Sequence, residues 1–545
     1  MLAVVGLFLA GCSSSSGEQQ ERGVPVAGSF VYWVGLKGEK PIRIAVHAVR
    51  RTDKGTVLDW SATPIPTADV PVGTSMTLRA TDLESFFGDQ TISLVDFAGR
   101  TVYRPLLSAK SFMAHGLTRP LYTQTALTSG ETSIFQIAFP KLPASASRIA
   151  VAFNGGDIVP DVPVTPVGDV PANGPAVDLA AALPATKVLA TSAPFTYPQG
   201  AYIFSKKGAG QQQITVESVV VGKGYTTVHW TEHALTAGAG FALEGMPVDD
   251  YRLHPTYQGL KSTVADGPGL QIAGSTSTLR ALYATFRAAV DMPGMPASPG
   301  WQACLCSDFQ LRSAAVAAKG GSLSLSTTFP ELPAGTKTVT LTFPGTAIPA
   351  LANLPVTAAD EPAAETTATD VSGTWHWDTS AVATPLSVTD WPAPLPDDAS
   401  YAEVPVAVTD TLLTRTTTDG LDTQWNGATS TLLLGSAPLF AAHTATLLPT
   451  AQATLRQVAA QLATVKAGST ISLTGYLAYN DPGSTAAVVA LSKAQASAVQ
   501  KALAPLVHQN VRWTVAGKGK GDLLGASDPK VFGDVNRRIA ITFRK

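Results

Sequence analysis

A duplicated series of short alternating segments between Val24 and Asp360 leaves few folds open to most of this chain. The first copy runs through Phe139-Pro140-Lys141-Leu142-Pro143, then Arg148-Ile149-Ala150-Val151-Ala152-Phe153, and closes with Asp161-Val162-Pro163-Val164. The second runs through Phe329-Pro330-Glu331-Leu332-Pro333, then Thr338-Val339-Thr340-Leu341-Thr342-Phe343, and closes with Asn353-Leu354-Pro355-Val356. Order and spacing agree to within two residues, as two copies of one structural unit require. Upstream, Ile42–Val46 leading to Val57–Trp60 is matched by Ile214–Ser218 leading to Thr227–Trp230. Each pair reads as a hairpin around a Gly-containing turn. Trp60 and Trp230 each close the second strand of their pair and belong in the core.

Period-two alternation with frequent Pro and Gly puts one face of each sheet in a core and the other outside. The pattern resembles tandem immunoglobulin-like domains, antiparallel β-sandwiches expected over 24–164 and 198–357. A Pro/Ala-rich linker is expected over 165–197, and a linker with a β-rich segment over 358–430. Whether 370–430 completes a sheet or forms a smaller β element is left open by the sequence.

The N-terminus reads as an address. Met1 to Ala10 is an unbroken apolar run, too short to span a bilayer, which takes roughly 20 residues, and long enough to engage export machinery. Leu9-Ala10-Gly11-Cys12 resembles the lipobox of bacterial lipoproteins. That resemblance implies a signal peptide at 1–11, lipidation of Cys12, and a flexible Ser-rich tether over 12–23. No Lys or Arg precedes the apolar run, which departs from the usual signal.

From Ser436 the periodicity changes. Thr450 stands at a helix N-cap position, and Leu455, Val458, Ala459, Leu462 and Val465 share one helical face before Gly468. Ile471–Gly475 alternates as a strand entering a loop. A second helix is expected with Leu491, Ala494, Ala498, Val499 and Ala502 on one side, then strands at Val511–Val515 and Arg538–Phe543. This small α/β unit, expected over 431–545, resembles the OmpA C-terminal family. The resemblance rests on Leu439-Phe440 with Ala445–Pro449, Leu473-Thr474-Gly475-Tyr476, Leu491-Ser492 with Ala496, Ala498 and Val499, Val515–Gly519 as a Gly-rich turn, and Asn536-Arg537-Arg538-Ile539. It implies contact with peptidoglycan through an Asp for the ammonium and an Arg for the carboxylate of diaminopimelate.

The chain departs from that family at both places. Ala478 follows Gly475-Tyr476-Leu477 where the family has Asp, and Asp481 in a lengthened loop is the candidate replacement. Gln495 occupies the arginine position, and glutamine donates hydrogen bonds without charge. Lys493 is a candidate substitute, although helical geometry turns it away from Gln495. Arg537 and Arg538 are candidate wall contacts or structural salt-bridge partners.

Charge separates this terminal unit from the rest. Residues 431–545 hold twelve Lys and Arg against four Asp and no Glu, leaving 26 basic and 36 acidic residues elsewhere. A basic unit on an acidic body suits an anionic wall polymer. Three cysteines exclude a disulfide framework. Cys304-Leu305-Cys306 lacks further ligands nearby for a metal, so it reads as a short-loop disulfide or two unpaired thiols. No Gly-x-Ser-x-Gly elbow, His-Glu-x-x-His pair or phosphate-binding loop occurs. The expectation is a membrane-anchored, non-enzymatic envelope lipoprotein that meets peptidoglycan or another anionic wall polymer. It needs no cofactor, metal or nucleic acid. The alternative is a surface receptor or adhesin whose β domains bind a protein or glycan and whose terminal module is vestigial.

Overall fold

The computed structural model describes residues 25–34, 40–66, 70–78, 92–108, 125–153, 158–167, 188–196, 211–236, 268–286, 301–306, 322–343, 348–359, 405–406, 409–418, 421–478, 481–507, 510–521 and 536–544. The apolar leader, Cys12, the tether, most of 165–197 and Phe112–His115 lie outside the described residues. Among those described, strands dominate, and no helix is long and apolar enough to cross a membrane.

The two sequence copies fold alike. In the first, strands Lys40–Arg51 and Thr56–Pro64 form the predicted hairpin, flanked by Gly28–Val34 and Ser133–Phe139. In the second, Gln211–Gly222 and Tyr225–Ala234 form the hairpin, flanked by Ser322–Pro330. Each hairpin carries a bulge at the same place, between Val46 and Ala48 and between Val216 and Ser218, and runs on past its tryptophan. Opposite lies a second sheet. In the first copy it contains Ile92–Asp96, Arg148–Phe153 and Ile158–Pro166; in the second, Gly269–Ile272, Thr338–Thr342 and Leu351–Pro355.

Local devices repeat as well. Thr56 Oγ1 accepts from the Leu142 amide and Thr226 Oγ1 from the Leu332 amide. Asp161 and Asn353 share a left-handed backbone, each with φ of 58°, a conformation that asparagine and aspartate tolerate better than most residues. Each copy ends by adding a short parallel strand to its hairpin, Val164–Pro166 beside Val49–Arg51 and Thr357–Ala358 beside Val220–Val221.

Each copy encloses its own core. Trp60, fully buried, stacks on Phe135 at 4.6 Å and meets Phe153 edge-on; Trp230, equally buried, meets Phe343 edge-on at 5.6 Å. A further apolar cluster joins the copies. Val95, Val102, Ala150 and Ala152 from the first pack with Tyr225, Leu282, Ala284 and Leu305 from the second, and with Leu412. At its margin Phe97 stacks on Tyr225 at 4.8 Å.

Within the described part of 370–430, strand Thr409–Thr418 completes sheets in both copies. Thr409 and Thr411 pair with Tyr103 and Thr101, while Thr416 and Thr418 pair with Leu279 and Ser277. Just upstream, Pro405 pairs with Ser108, and Leu412 pairs with Ala284 in the corresponding way. The partner of the second copy therefore stands seven residues after that of the first at three places: 405 and 412, 409 and 416, 411 and 418. Arg100, itself left-handed at φ 52°, fixes this strand. Its guanidinium donates to the Leu412 carbonyl at 2.9 Å and Thr414 Oγ1 at 2.8 Å, and lies 4.3 Å from the Trp425 ring centre.

The same strand leads into the terminal module through Leu421–Trp425 and Ser430–Gly435. Ser430–Gly435 pairs with Arg538–Phe543, then Thr470–Tyr476, then Arg512–Gly519, so one sheet passes from the body into the module. Helices Ala451–Leu462 and Thr485–Leu503 pack on this sheet around Val458, Leu462, Ile471, Leu473, Val499 and Ile541. The first helix buries the expected face, Leu455, Val458, Ala459 and Leu462, with Val465 buried just beyond it. Thr450 occupies its N-cap position with helical dihedrals and makes no side-chain cap bond.

Three local expectations are corrected. Leu439-Phe440 is a turn closed by a bridge to Leu447, and Ser430–Gly435 is the strand that opens the module. Val515–Gly519 continues a strand. The second helix buries Val488, Ser492, Gln495, Ala496, Val499 and Leu503, leaving Ala494 exposed and Leu491 half-buried. Two buried polar residues turn that face away from the one that apolar spacing marks.

Buried charge is concentrated in the hairpins. Arg50 forks onto the fully buried Asp59, which also accepts from Gln136 at 2.8 Å. Burial pushes the Asp59 carboxyl up, and Arg50 and Gln136 oppose that shift. Glu232 sits opposite Ile214 on the core face shared with Trp230, fully buried, with neither carboxyl oxygen hydrogen-bonded; Ala62 holds the matching place opposite Ile44. Burial raises its pKa well above the ordinary value, so the folded protein keeps a proton that the unfolded chain releases above about pH 4.3. Stability from this group is full below that pH and falls as pH rises. Burial lowers His47 and His233 to about 4, giving the opposite slope between there and the ordinary histidine value. Glu232→Leu is expected to raise stability by about 1–3 kcal/mol through loss of an unpaired buried polar group. Urea unfolding should show a larger gain at pH 8 than at pH 5, since the histidines contribute equally to both proteins.

Candidate functional site

The terminal module places its polar groups where strand Thr470–Tyr476 meets helix Thr485–Leu503. Glycines allow the two to approach. A Cβ on Gly475 would lie 2.0 Å from the Ser492 carbonyl oxygen, and one on Gly517 would lie 2.4 Å from that of Val489. Ser492 Oγ donates to the Val489 carbonyl at 2.9 Å and accepts from the Gly519 amide at 3.0 Å, tying helix to strand. Ser484, extended at the N-cap, accepts from the Ala487 amide and starts the helix beside the loop.

That loop is closed from within. Asp481 Oδ2 accepts from the Ala478 amide at 2.7 Å, and the Asp481 amide donates to the Ala478 carbonyl at 3.1 Å. The buried carboxylate also receives Arg537 Nε at 2.9 and 3.1 Å from its two oxygens. The half-exposed His443 brings Nδ1 to 3.4 Å from Oδ1. His443 has a left-handed backbone, φ 56°, in the turn formed by Ala441, Thr444 and Thr446. The next carbonyl in that turn, on Thr444, accepts from Gln495 Nε2 at 2.8 Å.

Three of the four expected residues therefore meet at one place: Asp481, Arg537 and Gln495 gather around the His443-Thr444 turn. Arg538 points elsewhere: buried, it lies 3.9 Å from the ring centre of its strand partner Tyr476 and donates to the Asn536 carbonyl. Lys493 is exposed. Sequence reasoning missed His443 and Thr444, whose only signal is a polar pair inside an otherwise small-residue turn. Elsewhere, Cys306 is buried and disulfide-bonded, while the Cys304 side chain lies outside the described residues. Among the described residues no group of three His, Cys, Asp or Glu side chains could hold a metal ion.

Chemically, the cluster is a carboxylate whose charge is met by a guanidinium, a solvent-facing imidazole, and a buried carboxamide. No family model and no curated protein matches the chain. Solved structures similar to part of it include the periplasmic domain of Helicobacter pylori MotB (residues 78–256), at 17% identity and TM-score 0.21, covering 23% of this chain and 82% of that one. The cell wall anchor of the T6SS from Pseudomonas aeruginosa matches at 20% identity and TM-score 0.20, covering 23% and 88%. The peptidoglycan-associated lipoprotein from Burkholderia pseudomallei matches at 23% and 0.16, covering 19% and 87%. At these values the likeness assigns no family.

Proposed function

We propose that this chain is a non-enzymatic cell-envelope lipoprotein. Lipid on Cys12 holds one end to a membrane, the immunoglobulin-like repeats at 24–164 and 198–357 form the body, and the OmpA-like module at 431–545 contacts peptidoglycan. The observation that carries the reading is the buried Asp481 carboxylate, held at the strand exit by Arg537 with His443 open to solvent beside it. The lipobox-like Leu9–Cys12, the five family-like stretches and the module's positive balance support it.

The test is sedimentation of the full-length protein with insoluble peptidoglycan at low and high salt. Salt-resistant binding should fall at least about tenfold in Asp481→Ala, because the charge-assisted bond that positions Arg537, worth about 1.5–3 kcal/mol, is lost. Far-ultraviolet circular dichroism must show the variant folded. Binding abolished by salt in both proteins, or binding indifferent to Asp481, defeats the specific-site reading. It would move attention to the β repeats as a receptor or adhesin for a protein or glycan.

A further inference from the structure

One group of this cluster is left unused by its internal bonds. Gln495 is 3% exposed, and its Oε1 has no hydrogen-bond partner. The amide orientation is fixed by chemistry: Nε2 donates to the Thr444 carbonyl, and the flipped amide would set two oxygens against each other. An acceptor therefore stays unsatisfied beside the turn that carries His443, at a cost the fold bears unless a ligand supplies an N–H.

Charge narrows what that ligand group can be. Asp481 already holds Arg537 on both oxygens, so the cluster provides its own cation. A ligand ammonium would compete with that guanidinium. A ligand carboxylate would turn its lone pairs toward the lone pairs of Oε1. A neutral N–H donor meets neither obstacle.

Resting on the proposed wall-binding function, we infer that the Gln495 subsite recognises a neutral carboxamide of the wall peptide, donated through N–H to Oε1, in preference to a free carboxylate. The interaction is one hydrogen bond to an otherwise unpaired buried acceptor, a preference on the order of tenfold. Gln495→Arg replaces the acceptor by a cationic donor and is expected to reverse the preference.

The experiment compares sedimentation of the full-length protein on two forms of insoluble peptidoglycan, one with free carboxyls and one with carboxyls converted to carboxamides. High salt removes the general pull of a basic module on an acidic polymer. The expected result is about tenfold tighter retention on the amidated form by wild type, and tighter retention on the free-carboxyl form by Gln495→Arg. Equal retention on both forms, or wild-type preference for free carboxyls, overturns the inference while leaving wall binding intact. No salt-resistant retention on either form overturns wall binding as well. Should Gln495→Arg fail to fold by circular dichroism, the wild-type comparison decides alone.

Discussion

Gly475→Ala is expected to disrupt the terminal module and, on the proposed function, to remove salt-resistant retention on peptidoglycan. The added methyl would stand 2.0 Å from the Ser492 carbonyl oxygen and 2.7 Å from its carbon. Those are backbone atoms in the middle of a helix, so no rotamer change relieves the clash. Strand and helix must separate, and the Ser492 contacts to Gly519 and the placement of Gln495 are lost with them. A cost of about 3 kcal/mol or more follows from overpacking without room to relax. Hydrogen exchange should show loss of protection in Thr485–Leu503 while Lys40–Arg51 and Gln211–Gly222 stay protected. Unchanged protection in that helix would mean that the close approach of Gly475 to Ser492 is not needed to hold strand and helix together.

A second large effect is expected from Leu412→Asp. Leu412 is 1% exposed and sits in the apolar cluster shared by the two repeats, on the strand that pairs with both. An unpaired carboxylate there must either stay desolvated or be protonated, at a cost on the order of several kcal/mol. Because the cluster belongs to neither repeat's own core, the repeats should survive and their coupling should fail. Calorimetry should then resolve two transitions where the wild-type body gives one. Thr409→Asp, an exposed position on the same strand, should leave the trace unchanged. A single, merely lowered transition in Leu412→Asp would mean that the repeats unfold together for another reason.

Much of this architecture is legible in the sequence because duplication and period-two alternation speak about local structure. Both hairpins, both buried tryptophans and the first terminal helix follow from such patterns. What escapes is set by groups far apart in the chain. Thr409–Thr418 is a threonine-rich run whose meaning depends on two edges that lie 128 to 310 residues upstream. Gly517 looks like a turn residue until a helix is seen to press on it. Ser492 and Gln495 sit inward because backbone groups of Gly519 and Thr444 need them, and hydrophobic spacing cannot register a polar residue that is buried for its hydrogen bonds. Within the candidate site, the sequence marked Asp481 as a carboxylate of interest, and the structure places it beside Arg537 and His443. The division of labour between Arg537 and Arg538 was not legible, since Arg537 lies in the bend just before the strand that Arg538 opens, and only the fold shows where that bend aims it.

The seven-residue offset along 405–418 also limits how such a chain could have evolved. Copying a repeat alone would yield a unit with an unfilled sheet edge, because the segment that fills it lies outside the repeat. A third unit could join the array only with about seven further residues of shared strand. Loss of a single residue at the Thr411–Leu412 junction would turn every side chain of the downstream half to the other face. The segment acts as a ruler read by both copies, so its length should tolerate change far less than its sequence does.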